Sequence, residues 1–292
     1  MSARQPEGDT ISRKSGFIDI HSHILPGLDD GPVHLDQSIE EAKRYMALGF
    51  VSVIATPHWI HATQWASTPE SISSKVIEIN SVLQQNKIEL TILPGMEIAY
   101  SENLHEHVAS GQCLSLGGKG FYLIEFPLLS TLTRLPENTL KKLLSKCRNK
   151  CIIAHPERCP VFDNDKDMLA RLVNLGMLVQ VNMGSLLGQY GRKAQKTAFH
   201  YFRSGLVHFL ATDSHARANR KPPDQMQWKN LVNAIGEDAV ATAFAHNPKQ
   251  MLAGNDVIPL SSKSNTTMPS FSGPGKCFLK SLQQRIMGYV NR

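Results

Sequence analysis

Cysteine is scarce in this chain. There are five in 292 residues, an odd number, and no two of them form a C-x-x-C pair. This argues against a disulfide framework and fits a reducing compartment. Long apolar runs are missing too, since none approaches the ~20 residues that span a bilayer. The first sixteen residues, MSARQPEGDTISRKSG, are polar, so no secretory leader is expected and the protein reads as cytoplasmic. A basic stripe is also absent. The net charge is +6, but residues 255–292 contribute most of it, with Lys263, Lys276, Lys280, Arg285 and Arg292 against Asp256. A nucleic-acid-binding fold would carry such a stripe within its folded body, so no nucleic-acid partner is expected.

What is present is an alternation. With 41% hydrophobic residues the chain can bury one large α/β core or two small ones. Short apolar runs read as strands at 17–21, 51–55, 90–95, 121–126, 151–155, 178–182 and 207–212. Helical periods lie between them. Ile39, Ala42 and Met46 share one face of a helix closed by Gly49. Thr68-Pro69 opens another, with Ile72, Val76, Ile79 and Leu83 inward. Further helices are expected near 136–149, 165–175, 192–204 and 225–252. Strands each followed by a helix imply a parallel sheet. Seven or eight such units in ~240 residues suggest a closed (β/α) barrel, with an open doubly wound sheet as the alternative.

Polar residues collect at one end of these units. The first strand runs into FIDIHSHILPGLDDGP, where His21 and His23 alternate onto one face. The second ends in TPH with His58, and the third runs into PGMEI with Glu97. The fourth carries Glu125. The fifth ends in AHPER with His155, Glu157 and Arg158, the sixth at Asn182, and the seventh in ATDSH with Asp213 and His215. In a parallel barrel these ends meet at one face, so the pattern points to a polynuclear metal site. His34, His105, His107, His200, His208 and His246 read as surface or packing residues. His61, just after His58, is left open.

The blocks DIHSHILPGLDDGP, ATPH, GMEI, LIEFP, IIAHPER and ATDSHARANRKPP, in this order, resemble the PHP-domain phosphoesterases. The nearest branch is the bacterial protein-tyrosine phosphatases of the CpsB/CapC type. The likeness covers about residues 17–254. It implies a single-domain, distorted (β/α)7 barrel with three divalent metals, manganese foremost and iron or zinc as alternatives. It implies ligands at His21, His23, Asp30, His58, Glu97, Glu125, His155, Asp213 and His215, with Glu97 a candidate bridge. It also implies phosphate-side arginines at Arg158 and Arg220, and a substrate on a tyrosine-phosphorylated protein. That partner would be a membrane-associated tyrosine kinase of exopolysaccharide or capsule synthesis.

The residue chemistry agrees with this. Imidazoles and carboxylates without thiolates favour hard to borderline ions. Such ions bind phosphoryl oxygens and activate water. Arginine suits bidentate phosphate capture. A thiol route would need Cys, five residues, then Arg. Cys151 and Arg158 are separated by six. Direct attack by water, without a phosphoenzyme, is therefore expected. Trp59 and Trp65, in the loop 58–68, are candidate stacking partners for a tyrosyl ring. The segment MGSLLGQYGRK, 183–193, is a second candidate rim.

Outside the barrel, residues 1–16 are expected to be a flexible lead and 255–275 a linker rich in Ser, Thr, Pro and Gly. Residues 276–292 read as a short basic amphipathic helix suited to a membrane surface, a partner or the barrel itself. Oligomeric state is left open. The rival readings are a small-molecule PHP phosphoesterase acting on a compound such as histidinol phosphate, an amidohydrolase, and a catalytically silent binding module.

Overall fold

The computed structural model describes residues 16–128, 137–146, 150–163, 165, 167–216 and 220–261. The N-terminal lead up to residue 15, most of the linker and the tail helix 276–292 lie outside the described residues. Among the described residues there are nine strands: β1 Phe17–Ser22, β2 Phe50–Ala55, β3 His58–Trp59, β4 Thr91–Pro94, β5 Glu97–Ala99, β6 Tyr122–Glu125, β7 Cys151–Ala154, β8 Leu178–Asn182 and β9 Phe209–Ala211. Every strand pair is parallel. One sheet runs β1-β2-β4 and a second runs β3-β5-β6-β7-β8-β9.

The seven expected strand runs are present, and the second and third are each followed by a short further strand. Thr56-Pro57 separates β2 from β3, and Gly95-Met96 separates β4 from β5. Pro57 has no N–H to give a ladder. Its carbonyl instead accepts from Glu97 N at 3.1 Å. Gly95 meets no side-chain tolerance: a Cβ there would sit 2.9 Å from Ile54 Cγ2 and 3.2 Å from the Ala55 carbonyl. The offset leaves β3 and β5 paired with His58 opposite Glu97. At the other margin, β1 and β9 are linked where they end. Asp213 N donates to His21 O at 3.0 Å and His23 N to Ser214 O at 2.9 Å.

The helices are α1 Leu35–Ala47, α2 Pro69–Gln85, α3 Leu104–Ala109, α4 Glu137–Lys146, α5 Met168–Asn174, α6 Met183–Leu186, α7 Gly191–Arg203, α8 Gln225–Ile235, α9 Glu237–Ala241 and α10 Asn247–Ala253. α2 follows the sequence reading. The Thr68 side chain caps Ser71 N, Pro69 opens the first turn, and Ile72, Val76, Ile79 and Leu83 are buried. α1 does not. Its buried face is Ser38, Glu41, Ala42 and Tyr45, while Met46 is exposed. The reason is what α1 packs against. The Tyr45 hydroxyl reaches Asp19 Oδ2 at 2.8 Å and Thr212 Oγ1 at 2.6 Å, so this face must be polar where an aliphatic stripe was expected. The long helical stretch at 225–252 breaks at Gly236, whose φ is +89°. No helix among the described residues is long and apolar enough to cross a membrane.

Candidate metal centre

All nine expected ligands meet in one cluster: most lie at or just past the C-terminal ends of strands, His58 and Glu97 open the short strands β3 and β5, and Asp30 comes from the loop after β1. Side-chain donors cluster in four overlapping groups: His23, Asp30, His58 and His215; His21, Glu97 and His155; His21, His23 and Asp213; and His58, Glu97 and Glu125. Glu97 is the hub. Its Oε1 faces His155 Nε2 at 2.8 Å and His21 Nε2 at 3.3 Å. Its Oε2 faces His58 Nδ1 at 3.0 Å and His23 Nε2 at 3.2 Å. Asp30 Oδ1 lies 3.1 Å from His215 Nε2.

Local backbone geometry delivers these groups. His155 and Asp213 stand just past β7 and β9 with φ of +29° and +53°. Such left-handed conformations at non-glycine residues cost about 1–3 kcal/mol each and persist where the surroundings enforce them. Gly31 has no room for a side chain, since a Cβ would lie 2.2 Å from His23 O. The loop from His23 to Gly31 therefore folds back tightly enough to bring Asp30 under the histidines.

The donor set fits divalent ions. Five imidazoles and four carboxylates, with no thiolate, suit hard to borderline metals. Asp30 Oδ1, Glu97 Oε2 and His215 Nε2 are buried and make no hydrogen bond within the protein. Buried lone pairs of this kind are costly unless something coordinates them.

The electrostatics are those of acids and bases crowded away from water. Burial, then the negative charge of Glu97, raises Glu125 to about 7. Burial, then Arg158, lowers His155 to about 4. Burial also opposes charge on His58, but Glu97 outweighs it and lifts that imidazole to about 9. Asp213 is held well below the usual carboxylate range: the Arg220 guanidinium, with His21 next, outweighs the effect of burial.

Both expected arginines converge on Asp213. Arg158 Nη1 donates to its Oδ2 at 2.7 Å and Arg220 Nη2 to its Oδ1 at 2.6 Å. The two tryptophans separate. Trp65 stacks on His58 with ring centroids 5.2 Å apart and planes 11° from parallel. Trp59 is buried in the core, edge-on to His107. Cys151 is fully buried in β7. The Cys159 thiol donates to the Phe126 and His155 carbonyls, and burial pushes its pKa well up.

Four further residues support the donors or lie beside them: Asn182 and Glu157 stand among the polar strand ends of the sequence, whereas Asp29 and Gln180 are not assigned a role there. Asp29 Oδ2 pairs with His23 Nδ1 at 2.6 Å and accepts from His58 N at 2.9 Å. Gln180 Oε1 is 2.9 Å from His21 Nδ1. Asn182 Nδ2 donates to Asp213 Oδ2 at 2.7 Å. Glu157 faces away from the donors and accepts from Asn182 N and Ser185 Oγ. A signal existed for Gln180, because it alternates with Asn182 onto one face of β8. For Asp29, beside Asp30, only the fold separates brace from donor.

The family described as capsular polysaccharide synthesis, CpsB/CapC, matches residues 17–253. The chain belongs to the CpsB/CapC family. Among its relatives, the tyrosine-protein phosphatase YwqE of Bacillus subtilis is 34% identical over 199 residues, covering 68% of this chain and 77% of YwqE. The tyrosine-protein phosphatase CpsB of Streptococcus agalactiae is 28% identical over 242 residues, covering 81% of this chain and 98% of CpsB. In three dimensions the chain is similar to a chain from the crystal structures of YwqE from Bacillus subtilis and CpsB from Streptococcus pneumoniae, described as metal-dependent tyrosine phosphatases. The TM-score is 0.73 at 29% identity, covering 85% of this chain and all of that one. The CpsB/CapC match thus takes in every strand and all nine donors described above.

Proposed function

We propose that this chain is a metal-dependent protein-tyrosine phosphatase that hydrolyses phosphotyrosine through water, without a phosphoenzyme. The observation that carries the reading is four overlapping donor groups beside two guanidinium groups, at the same strand ends. His21, His23, Asp30, His58, Glu97, Glu125, His155, Asp213 and His215 would hold three divalent ions, manganese foremost. Glu97, with each oxygen facing a different pair of histidines, suits a bridge. Such ions, when bound, polarise phosphoryl oxygens and lower the pKa of water.

The chain's own residues do the rest. Arg158 and Arg220 bind the phosphoryl oxygens through charge-assisted hydrogen bonds. Trp65, stacked on His58, offers an apolar face to the tyrosyl ring. A phenol leaves with a parent pKa of about 10, so a strong general acid is not demanded. Among the described residues no cysteine near the site is set up as a nucleophile: Cys151 is inside β7 and burial pushes the Cys159 thiol well up, toward its protonated form. The links between β1 and β9 support a distorted (β/α)7 barrel. The family description, capsular polysaccharide synthesis, supports a phosphotyrosine substrate within that process, for which a tyrosine kinase of capsule or exopolysaccharide synthesis is the candidate.

The test is metal content by elemental analysis beside turnover of a phosphotyrosine peptide, a phosphoserine peptide and histidinol phosphate, with His155→Ala as control. Bound divalent metal and a phosphotyrosine preference lost in the variant are expected. Equal rates on all three substrates would overturn the substrate assignment.

A further inference from the structure

Tyr190 lies outside the donor cluster yet touches its machinery. The Arg158 guanidinium carbon lies 4.3 Å from the centre of the Tyr190 ring, so the cation sits over the face of the ring. In its own plane the same guanidinium donates from Nη1 to Asp213. A guanidinium recognises phosphate in its plane, through its fork of N–H groups, while its face is free to stack. An arginine seated over a ring and held along one edge by a carboxylate has lost rotations that would aim the fork elsewhere.

The backbone is shaped to deliver that ring. After β8 and α6 the chain doubles back, with Gln189 N donating to Gly184 O at 2.9 Å and Gly191 N to Gly188 O at 3.1 Å. Gly188 and Gly191 take φ of +79° and +90°. A Cβ on Gly184 would lie 2.3 Å from Gln189 Oε1 and 3.0 Å from Tyr190 Cε2. A side chain at 184 would therefore displace the rim that seats the ring. Asn182, at the start of the same segment, binds the Asp213 oxygen that Arg158 also uses. One stretch of chain thus braces the arginine through a ring and its acceptor through an amide.

We propose that Tyr190 is a positioning residue for phosphate capture, its ring clamping the Arg158 guanidinium so that the fork meets the phosphoryl group in one fixed plane. This rests on the phosphatase reading above.

The experiment is a double-mutant cycle on the metal-loaded protein. It reads the Kd of inorganic phosphate by calorimetry, beside kcat and KM for a phosphotyrosine peptide. Tyr190→Leu is expected to weaken phosphate about tenfold, the scale of a partly desolvated cation–π contact, and Tyr190→Phe, which keeps the ring, less than about threefold. In an Arg158→Gln background Tyr190→Leu should add less than about twofold, because its partner is gone. Gly184→Ala should act in the same direction without removing any polar group, and should not add to Tyr190→Leu. The clamp is overturned if Tyr190→Leu weakens phosphate equally with and without Arg158, or if Tyr190→Phe is as damaging as Tyr190→Leu. Absence of phosphotyrosine turnover in the wild type, with the phosphate coupling intact, would retire the substrate reading and leave the clamp standing.

Discussion

At the scale of single residues, the site depends on groups that never contact substrate. Asp29 shows why. By accepting from His23 Nδ1 it fixes the tautomer that turns the Nε2 lone pair toward Glu97 and Asp213. Outer partners of this kind are typically worth 10–100-fold in metal affinity. Asp29→Asn is therefore expected to weaken manganese binding by about that factor with the fold intact, read by competition with a calibrated chelator. Unchanged affinity would refute the role. His208 makes a separate, pH-dependent prediction far from the donors. It is buried, its Nδ1 accepts from Val179 N, and burial lowers its pKa to about 4 against an ordinary 6.5. The unfolded chain therefore takes up its proton first. The stability this histidine contributes is complete above pH 6.5 and drains away as pH falls toward 4, by up to about 3 kcal/mol. Denaturant midpoints at pH 7 and pH 5 should differ less in His208→Gln than in the wild type. Equal differences would show that other groups carry the effect.

At the scale of elements, much was legible. The strand runs, the cap and inward face of α2 and the gathering of His21, His23, His58, Glu97, Glu125, His155, Asp213 and His215 follow from periodicity and position, whereas Asp30, in the loop past β1, is named as a ligand through the family resemblance alone. The breaks that set off β3 and β5 were not legible, because they arise from contact between neighbours. Gly95 looks like an ordinary turn glycine until Ile54 and Leu116 are packed around it. α1 misled for a related reason. A helix is read as amphipathic by its aliphatic residues, yet this one buries Glu41 and Tyr45 against a polar patch made by Asp19, Thr212 and Ser214. Tyr190 and Gln189 sit in the segment 183–193, whose glycines marked it as a candidate rim, but which ring it presents to Arg158 shows only once Gly184 packs against Gln189 and Tyr190. Two tests belong here. Gly95→Ala should cost about 1–3 kcal/mol by denaturant unfolding, as overpacked sites do. It should also lower bound metal, since Glu97 lies two residues on. Thr68→Ala should cost about 1 kcal/mol through the lost cap of α2 and leave metal content unchanged.

At the scale of the whole molecule, nine metal-type donors share one buried space, and several of their lone pairs find no hydrogen bond within the protein. Divalent ions would satisfy them, and ligands that bind only the folded state stabilise by mass action, about 2.7 kcal/mol per site at a hundred times Kd. Stripping the metal with a chelator is expected to lower Tm by several degrees, and Glu97→Gln should shrink that difference. A chelator-independent Tm would argue against a filled site. The link between β1 and β9 adds a condition in time. Ser22 and Ser214, whose hydroxyls meet at 3.0 Å, are 192 residues apart in sequence. During synthesis His21 and His23 are made long before Asp213 and His215, and domains dominated by distant contacts fold late. A nascent chain has the donors of both groups around Glu97 once His155 is made, whereas the two groups that use Asp213 or His215 wait for its last strand, so a product truncated before Asp213 keeps only part of the centre.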